Sequence, residues 1–213
     1  MITEKSTVKT EAIFSDDRQR RYLLRKEWDA KLPQATIIML NPSMADLQIL
    51  DYTTLYITNN LVKLGTFGSV EIVNLISKTT TKLDVKKDIG NDLEEENVAQ
   101  IIKSIEKSHS TIIAWGRIGE NNKVVRALQE KLFERLKPFA DKLQQICDDN
   151  GEFGFHPLAP SIRFTWHLIP LELPQPQPPP EEVKKQKNTK SKQLQESDPP
   201  TQGSGTSESE QTA

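Results

Sequence analysis

The sequence predicts an α/β fold: a three-layer α/β/α domain built on a central, mainly parallel sheet of about four strands. Short apolar runs of strand length alternate with longer segments in which apolar residues recur at helical spacing. The apolar runs end abruptly in polar turns, which is typical of parallel strands that are buried on both faces. This alternation places helices on both sides of the predicted sheet.

The predicted strands follow one another along the first three-quarters of the chain. Residues 21–28 mix aromatic, branched and charged side chains, which predicts an edge strand. The inner strands are short apolar runs next to turn residues, at 35–40, 69–76, 111–115 and 143–147. The loop over 151–160 contains two phenylalanines and is expected to fold back on the core.

Helices are predicted between these strands. Helical periodicity covers 52–64 and 91–107, and a third helix runs from about residue 124 to the residue before Pro138. Asp51 is placed to cap the first helix, and Gly65 stands where a helix commonly ends in a left-handed residue.

Composition divides the chain into an N-terminal extension over 1–20, an α/β domain over 21–173 and a tail over 174–213. The tail is rich in Pro, Gln, Ser and Lys and contains no aromatic residue. It is predicted to be disordered, because it cannot bury enough apolar surface to fold alone. We expect it to space or solubilise the domain, or to contact an unknown protein.

Charge and cysteine content exclude several classes of protein. The formal net charge is −2, so bulk electrostatics do not indicate a nucleic-acid binder. A local excess of cations is interpreted as a solvated charged face or strand edge rather than a phosphate track; it comprises Arg18, Arg20, Arg21, Arg25 and Lys26. Cys147 is the only cysteine, which excludes an internal disulfide, a thiolate-bound iron–sulfur cluster and a zinc ribbon.

No apolar run approaches the length of a membrane span, and the N-terminus lacks the apolar segment of a secretory signal. We therefore expect a cytoplasmic monomer without membrane contact. His109 and His167 have no second ligand at metal-binding spacing, so neither a metal nor another cofactor is expected.

Polar residues at the ends of the inner strands are the candidates for chemistry. Asn41, Asn74 and the Gly116-Arg117 pair each follow an apolar strand, and the carboxyl ends of parallel strands share one rim. An amide offers a donor and an acceptor, so the two asparagines could read a heterocycle edge or orient a water. The alternative is that each caps a turn. His156 lies in a loop that could bring an imidazole over a ligand.

Asp46 and Asp51 follow the first inner strand. Either could act as a general base or bind Mg²⁺ through water, while Asp51 serves equally well as a helix cap. Ser43 lacks the surroundings of a nucleophile elbow, and no Ser-His-Asp arrangement is apparent.

Several motifs, in this order, resemble the bacterial family called domain of unknown function 1643. They are Tyr22-Leu23-Leu24-Arg25 with Trp28, Met39-Leu40-Asn41-Pro42-Ser43 with Ala45-Asp46, Asp51 with Thr53, Val73-Asn74-Leu75, Ala114-Trp115-Gly116 and His156-Pro157-Leu158. The resemblance covers nearly the whole predicted domain and names no reaction.

Four of these motifs also resemble, more distantly, the uracil-DNA glycosylases. Leu40-Asn41-Pro42-Ser43 is similar to their first motif, and Val73-Asn74-Leu75 to the strand whose asparagine recognises the base. Ile113-Ala114-Trp115-Gly116 resembles their Leu-Trp-Gly strand end, and His156-Pro157 their His-Pro-Ser motif. The resemblance implies a four-stranded parallel sheet between helices.

By this resemblance Asn41 would position a water toward C1′ of a nucleoside, His156 would donate a hydrogen bond to a base oxygen and Asn74 would read the base edge. The residues expected to carry the reaction are Asn41, His156, Asp46 and Asp51. Those expected to contact the substrate are Asn74, Ser43, Trp115, Gly116 and Arg117.

Two functions are therefore expected as alternatives. One is a glycosylase-like enzyme that hydrolyses the N-glycosidic bond of a base in nucleic acid or a nucleotide. The other is a non-catalytic nucleotide- or nucleic-acid-binding module with a disordered interaction tail.

Overall fold

The computed structural model describes residues 1–43, 48–80 and 83–173. Within them the strands are β1 Lys9–Phe14, β2 Arg21–Glu27, β3 Gln34–Met39, β4 Ser69–Asn74, β5 Ser110–Ile113, β6 Leu143–Cys147 and β7 His167–Pro170. The helices are α1 Tyr52–Leu64, α2 Val85–Asp88, α3 Glu95–Lys107, α4 Ile118–Asn121 and α5 Lys123–Leu136, followed by a 3-10 helix over Lys137–Lys142. The predicted tail, 174–213, lies outside the described residues.

The described strands form one mixed sheet in the order β1-β2-β4-β3-β5-β6-β7. The α/β prediction is confirmed. The sheet has seven strands rather than about four, and it is not mainly parallel, because β1, β2 and β7 pair antiparallel with their neighbours. Parallel pairing joins β4, β3, β5 and β6.

β1 and β7 are the two strands that were not predicted, and they have the weakest sequence signal. β1 lies inside the segment predicted as an N-terminal extension, and each of its residues is exposed or only partly buried. β7 is a four-residue strand whose ends are exposed. Neither strand has a long apolar run, and each lies at an edge of the sheet with a neighbouring strand on one side only.

The first helix forms where its end signals predicted. Asp51 caps α1 by accepting a hydrogen bond from the backbone N–H of Thr54 at 2.7 Å, and Gly65 ends it with a left-handed φ of 69°. In α3, Glu95 and Glu96 lie in the first turn, where the helix dipole favours negative charge.

Two apolar clusters cover the two faces of the sheet. One packs α1, through Ile57 and Leu61, against Ile37 and Met39 of β3. The other packs α3 and α5 against the opposite face, where Ile38 of β3 projects. Adjacent residues of β3 therefore point to different layers, as the pleat of a strand requires.

The strand order creates a crevice at the carboxyl end of β3. The chain leaves β3 through α1 to reach β4 on one side, and then crosses through α3 to β5 on the other side. Ligands of open α/β sheets bind where strand order reverses in this way, outside the strand ends. The loop that contains Asn41 begins at this point.

Each helix in the described part of the chain is too short or too polar to cross a membrane.

Candidate functional site

A cavity of about 360 Å³ opens at the carboxyl ends of β3 and β4, on the face that α1 covers. Its volume falls within the range of small-molecule sites. It is lined by Arg21, Met39, Asn41, Ser43, Asp51, Thr53, Thr54, Ile57, Ile72, Asn74, Thr80 and His156. We call it the Asn74 cavity.

Asn74 is the last residue of β4 and stands opposite Met39 in the parallel register. Its side chain is buried, with 1% of its surface exposed. Neither Oδ1 nor Nδ2 has a hydrogen-bond partner among the described residues. Most buried polar groups in proteins are paired, so an amide at a cavity wall that meets no described partner could bind a water or a ligand.

The backbone of Asn74 is held from the opposite layer. Asn97 of α3 is buried, and its Nδ2 donates to the carbonyl of Asn74 at 2.8 Å and to that of Leu75 at 3.3 Å. These bonds fix the end of β4 on the side away from the cavity. The side chain of Asn74 is thereby held in place without using its own polar atoms.

Asn41 ties together the loops that follow β3 and β4. Its Nδ2 donates to the carbonyls of Pro42 at 3.1 Å and Thr80 at 3.2 Å, and the backbone N–H of Thr80 donates to Pro42 at 3.4 Å. The acceptor Oδ1 is the other hydrogen-bonding atom of this side chain. Such an acceptor could hold a water or a ligand N–H.

His156 reaches the cavity from the loop after β6, and a backbone contact favours one tautomer of its neutral ring. The backbone N–H of Leu158 donates to Nδ1 at 3.2 Å, which places the proton of the neutral ring on Nε2. Burial lowers the pKa of His156, an effect that the negative charge of Asp51 opposes. At neutral pH the ring is therefore an uncharged donor.

Gly116 supports His156 from behind. Its φ of 74° is left-handed, and a Cβ atom built on it would lie 3.1 Å from the Cβ of His156. A side chain at this position would therefore press on the histidine. Gly116 does not line the cavity, and its contribution to the site is to leave room for His156.

Asp51 and Ser43 also line the cavity. One carboxylate oxygen of Asp51 caps α1, and a carboxylate has a second oxygen that can accept, so the residue can be both a helix cap and a cavity acid. Asp46, the other predicted acid, lies outside the described residues.

Trp115 and Arg117 lie away from the cavity. Trp115 is buried in the cluster on the α5 face and packs edge-on against Phe133, with ring centroids 5.3 Å apart. Ala114 faces the α1 layer instead, because successive residues of an extended chain alternate in direction. Arg117 is half exposed, and its guanidinium donates to the carbonyl of Phe153 at 3.0 Å.

Arg21 lines the cavity and was not among the predicted site residues. Only 2% of its surface is exposed, and Lys26 is also buried, so the interpretation as a solvated face is wrong for these two residues. Lys26 is covered by β1, where the Oγ1 of Thr10 accepts from its Nζ at 2.9 Å. No local signal separates Arg21 from Arg20, which is exposed and pairs with Glu94.

The Asn74 cavity is distinguished from a larger cavity by the side chains that line it, not by its volume. A larger cavity of about 780 Å³ lies around the amino ends of β5 and β6, lined by residues that include His109, Lys142 and Trp166. It contains none of the predicted site residues. In the described part of the chain, no three or more His, Cys, Asp or Glu side chains are grouped so that they could hold a metal.

A protein-family model described as "Protein of unknown function (DUF1643)" matches residues 21–158, well over half of the chain. The chain belongs to this family. No curated protein and no solved structure matches it. The DUF1643 region begins at Arg21 and ends two residues after His156, so it includes every described residue that lines the Asn74 cavity. β1 and β7 lie outside the region and complete the edges of the sheet.

Proposed function

We propose that the Asn74 cavity binds a nucleobase and that the protein hydrolyses the N-glycosidic bond of that base in nucleic acid or a nucleotide. The observation that carries the proposal is the buried side chain of Asn74, whose donor and acceptor both lack partners among the described residues. A base with adjacent ring N–H and carbonyl groups would satisfy both atoms at once. A ligand that left this amide unpaired would bind more weakly, so the site would discriminate against such a ligand.

The resemblance to uracil-DNA glycosylases agrees with this proposal. Asn41, Asn74 and His156 are the residues to which it assigns the water, the base edge and the base oxygen, and all three line one cavity. The parallel block β4-β3-β5-β6, with α1 on one face and α3 and α5 on the other, further supports a glycosylase-like architecture.

The residues around the cavity suit each step of the hydrolysis. A water held by Oδ1 of Asn41 would attack C1′, and the carboxylate of Asp51 would take its proton. As the bond between C1′ and the base nitrogen breaks, its electron pair leaves with the base. The N–H at Nε2 of His156 would stabilise the negative charge that develops on the base oxygen. The buried charge of Arg21 would favour the same anion.

Base release from defined substrates tests this function. Nucleosides, nucleotides and oligonucleotides containing uracil or hypoxanthine are incubated with the wild type and with Asn74→Leu, His156→Asn and Asp51→Asn, and free base is quantified by chromatography. We expect release by the wild type and at least about hundredfold less from Asp51→Asn, which keeps the helix cap but loses the base. Release by Asn74→Leu at the wild-type rate would exclude the assigned role of the amide.

A binding module without hydrolysis is the second candidate. The observation that favours it is the pair of hydrogen bonds from Nδ2 of Asn41 to loop carbonyls, which give this residue a purely structural task. Thermal shifts with nucleobases and nucleosides distinguish the two functions. A wild-type shift that is abolished by Asn74→Leu, together with no base release from any substrate, would establish binding alone.

A further inference from the structure

An aromatic strip, formed by Tyr52, Tyr56 and Phe164, runs along α1 from the edge of the Asn74 cavity. Tyr52 lies in the first helical turn, next to Asp51 and Thr53, which line the cavity. The rings of Tyr52 and Tyr56 are stacked with centroids 6.5 Å apart, and Phe164 meets Tyr56 edge-on at 5.6 Å. Tyr52 is 72% exposed and Phe164 is 62% exposed.

Hydrogen bonds to the backbone position one ring of the strip, that of Phe164, beside α1. Asn60 of α1 donates from Nδ2 to the carbonyl of Arg163 at 2.9 Å, which attaches the loop that carries Phe164 to the helix. Lys63 donates from Nζ to the carbonyl of Phe164 at 3.0 Å. Contiguous exposed aromatic rings commonly mark interaction sites, so the strip has the properties of a binding surface.

Two cations, Arg163 and Lys63, flank the strip. The guanidinium of Arg163 lies 5.7 Å from the ring centroid of Tyr56, and Lys63 is exposed one turn beyond Asn60. Neither cation has a carboxylate within 4.0 Å in the part of the chain that the structure describes. By contrast, Arg20, Arg25 and Arg117 are all paired with glutamates. Positive charge beside aromatic faces complements a chain of stacked bases and phosphates.

We propose that the aromatic strip binds single-stranded nucleic acid, with successive bases stacked on its rings and phosphates near Arg163 and Lys63. This inference rests on the proposed function and deepens it, because it assigns the base in the cavity to a single strand. In a duplex the faces of the bases are covered by their neighbours, so they cannot stack on a protein surface.

Fluorescence anisotropy tests the strip with a labelled oligonucleotide of about 12 nucleotides, offered as a single strand and as a duplex. The proteins are the wild type, Tyr52→Ala, Phe164→Ala, Lys63→Gln and the control Phe153→Ala, whose ring is 51% exposed but lies outside the strip and the cavity lining.

We expect the wild type to bind the single strand more tightly than the duplex. Each strip variant should weaken single-strand binding about tenfold or more, with Phe153→Ala unchanged. Lys63→Gln should reduce the salt dependence.

Absence of wild-type binding, equal affinity for the duplex, or equal affinity of the strip variants and the control would overturn the inference. Asn74→Leu separates this result from the proposed function. If Asn74→Leu binds the oligonucleotide normally but neither it nor the wild type releases or binds a base, the strip is correct and the cavity assignment is wrong. If bases bind the wild type but the strip variants hold oligonucleotides normally, the cavity stands and the strip does not.

Discussion

Asn74 combines features that an ordinary core residue would not have. Its backbone is fixed by Asn97 on one side of the sheet, while its own polar atoms meet no partner in the described structure. Burying an unpaired amide costs about 1–3 kcal/mol, so this arrangement lowers the stability of the folded protein. A residue that is unfavourable for folding and faces a cavity is consistent with selection for binding.

Replacing Asn74 by leucine should therefore separate stability from function. Leucine has nearly the same shape and no polar atoms, so we expect the free energy of unfolding to stay unchanged or to rise by about 1 kcal/mol. Chemical denaturation measures the free energy, and thermal shift with nucleobases measures binding, which should be lost. A loss of stability above about 2 kcal/mol would instead show that the amide supports the fold.

His156 is a residue whose contacts favour the neutral ring. Its pKa is lowered by burial, and protonation at Nδ1 would also break the hydrogen bond from Leu158. The folded state therefore takes up this proton less readily than the unfolded chain does. Its stabilising contribution is complete above the unfolded pKa of about 6.5 and is lost progressively as the pH falls below that value.

Melting temperatures measured between about pH 8 and pH 5 test this dependence. We expect the wild type to lose stability toward the acid end and His156→Asn to lose less, because asparagine can accept the Leu158 hydrogen bond without titrating. The carboxylates with lowered pKa, Asp17, Glu27 and Asp88, titrate below this range and do not interfere. Parallel pH profiles for the two proteins would contradict the assignment of this pH dependence to His156.

The cavity is assembled from parts of several elements. β4 supplies Asn74, the loop after β3 supplies Asn41, the start of α1 supplies Asp51, and the loop after β6 supplies His156. Hydrogen bonds between the loops after β3 and β4 hold Asn74 and Asn41 in relation to each other. The turn after β5 positions His156, because Gly116 in that turn packs against it.

Substitution of Gly116 should disturb the site through this contact. Gly116→Ala places a Cβ at a left-handed φ of 74° and 3.1 Å from the Cβ of His156. Gly151→Ala is a matched control, because its φ of 82° brings the same backbone strain while its Cβ would meet nothing within 4 Å. Both should lose roughly 1–2 kcal/mol of stability from the strain.

Only Gly116→Ala should lose more than this amount and also lose base binding, because only that substitution displaces the histidine. Denaturation curves and thermal shifts of the two variants, measured side by side, give the comparison. Equal effects on binding would mean that the position of His156 does not depend on Gly116.

At the scale of the whole molecule, the described residues form a mixed sheet whose parallel strands are interior and whose edges are antiparallel. Antiparallel edge strands with charged and polar side chains protect a buried parallel block from pairing with other chains. The two apolar clusters cover both faces of the sheet and form the core of the α/β domain.

Deletion of residues beyond about Pro174 should leave the melting transition nearly unchanged. The removed segment contains no aromatic residue and almost no apolar one, so little buried surface is lost. Differential scanning calorimetry of the full chain and the shortened chain tests this boundary. A large decrease in melting temperature would show that the segment contributes to the folded core.

Strong local signals explain which parts of the fold were predictable. The inner strands and α1 have continuous apolar runs, helical periodicity and clear end residues, so their positions follow from the sequence within a few residues. β1 and β7 lack such signals, because an edge strand is defined by the neighbour it pairs with. The direction of the Trp115 side chain was not predictable for the same reason. It depends on the register at the end of β5, not on the motif that contains the residue, and the ring packs against Phe133.

The sequence by itself determined the α/β class, the polar strand ends and the residues Asn41, Asn74 and His156, because apolar periodicity and turn residues are local properties. Only the tertiary structure decided that these three residues line one cavity, that Asn74 has no partner among the described residues and that Arg21 is buried beside it. Those facts depend on contacts between elements far apart in the chain, and on the order in which the strands pair.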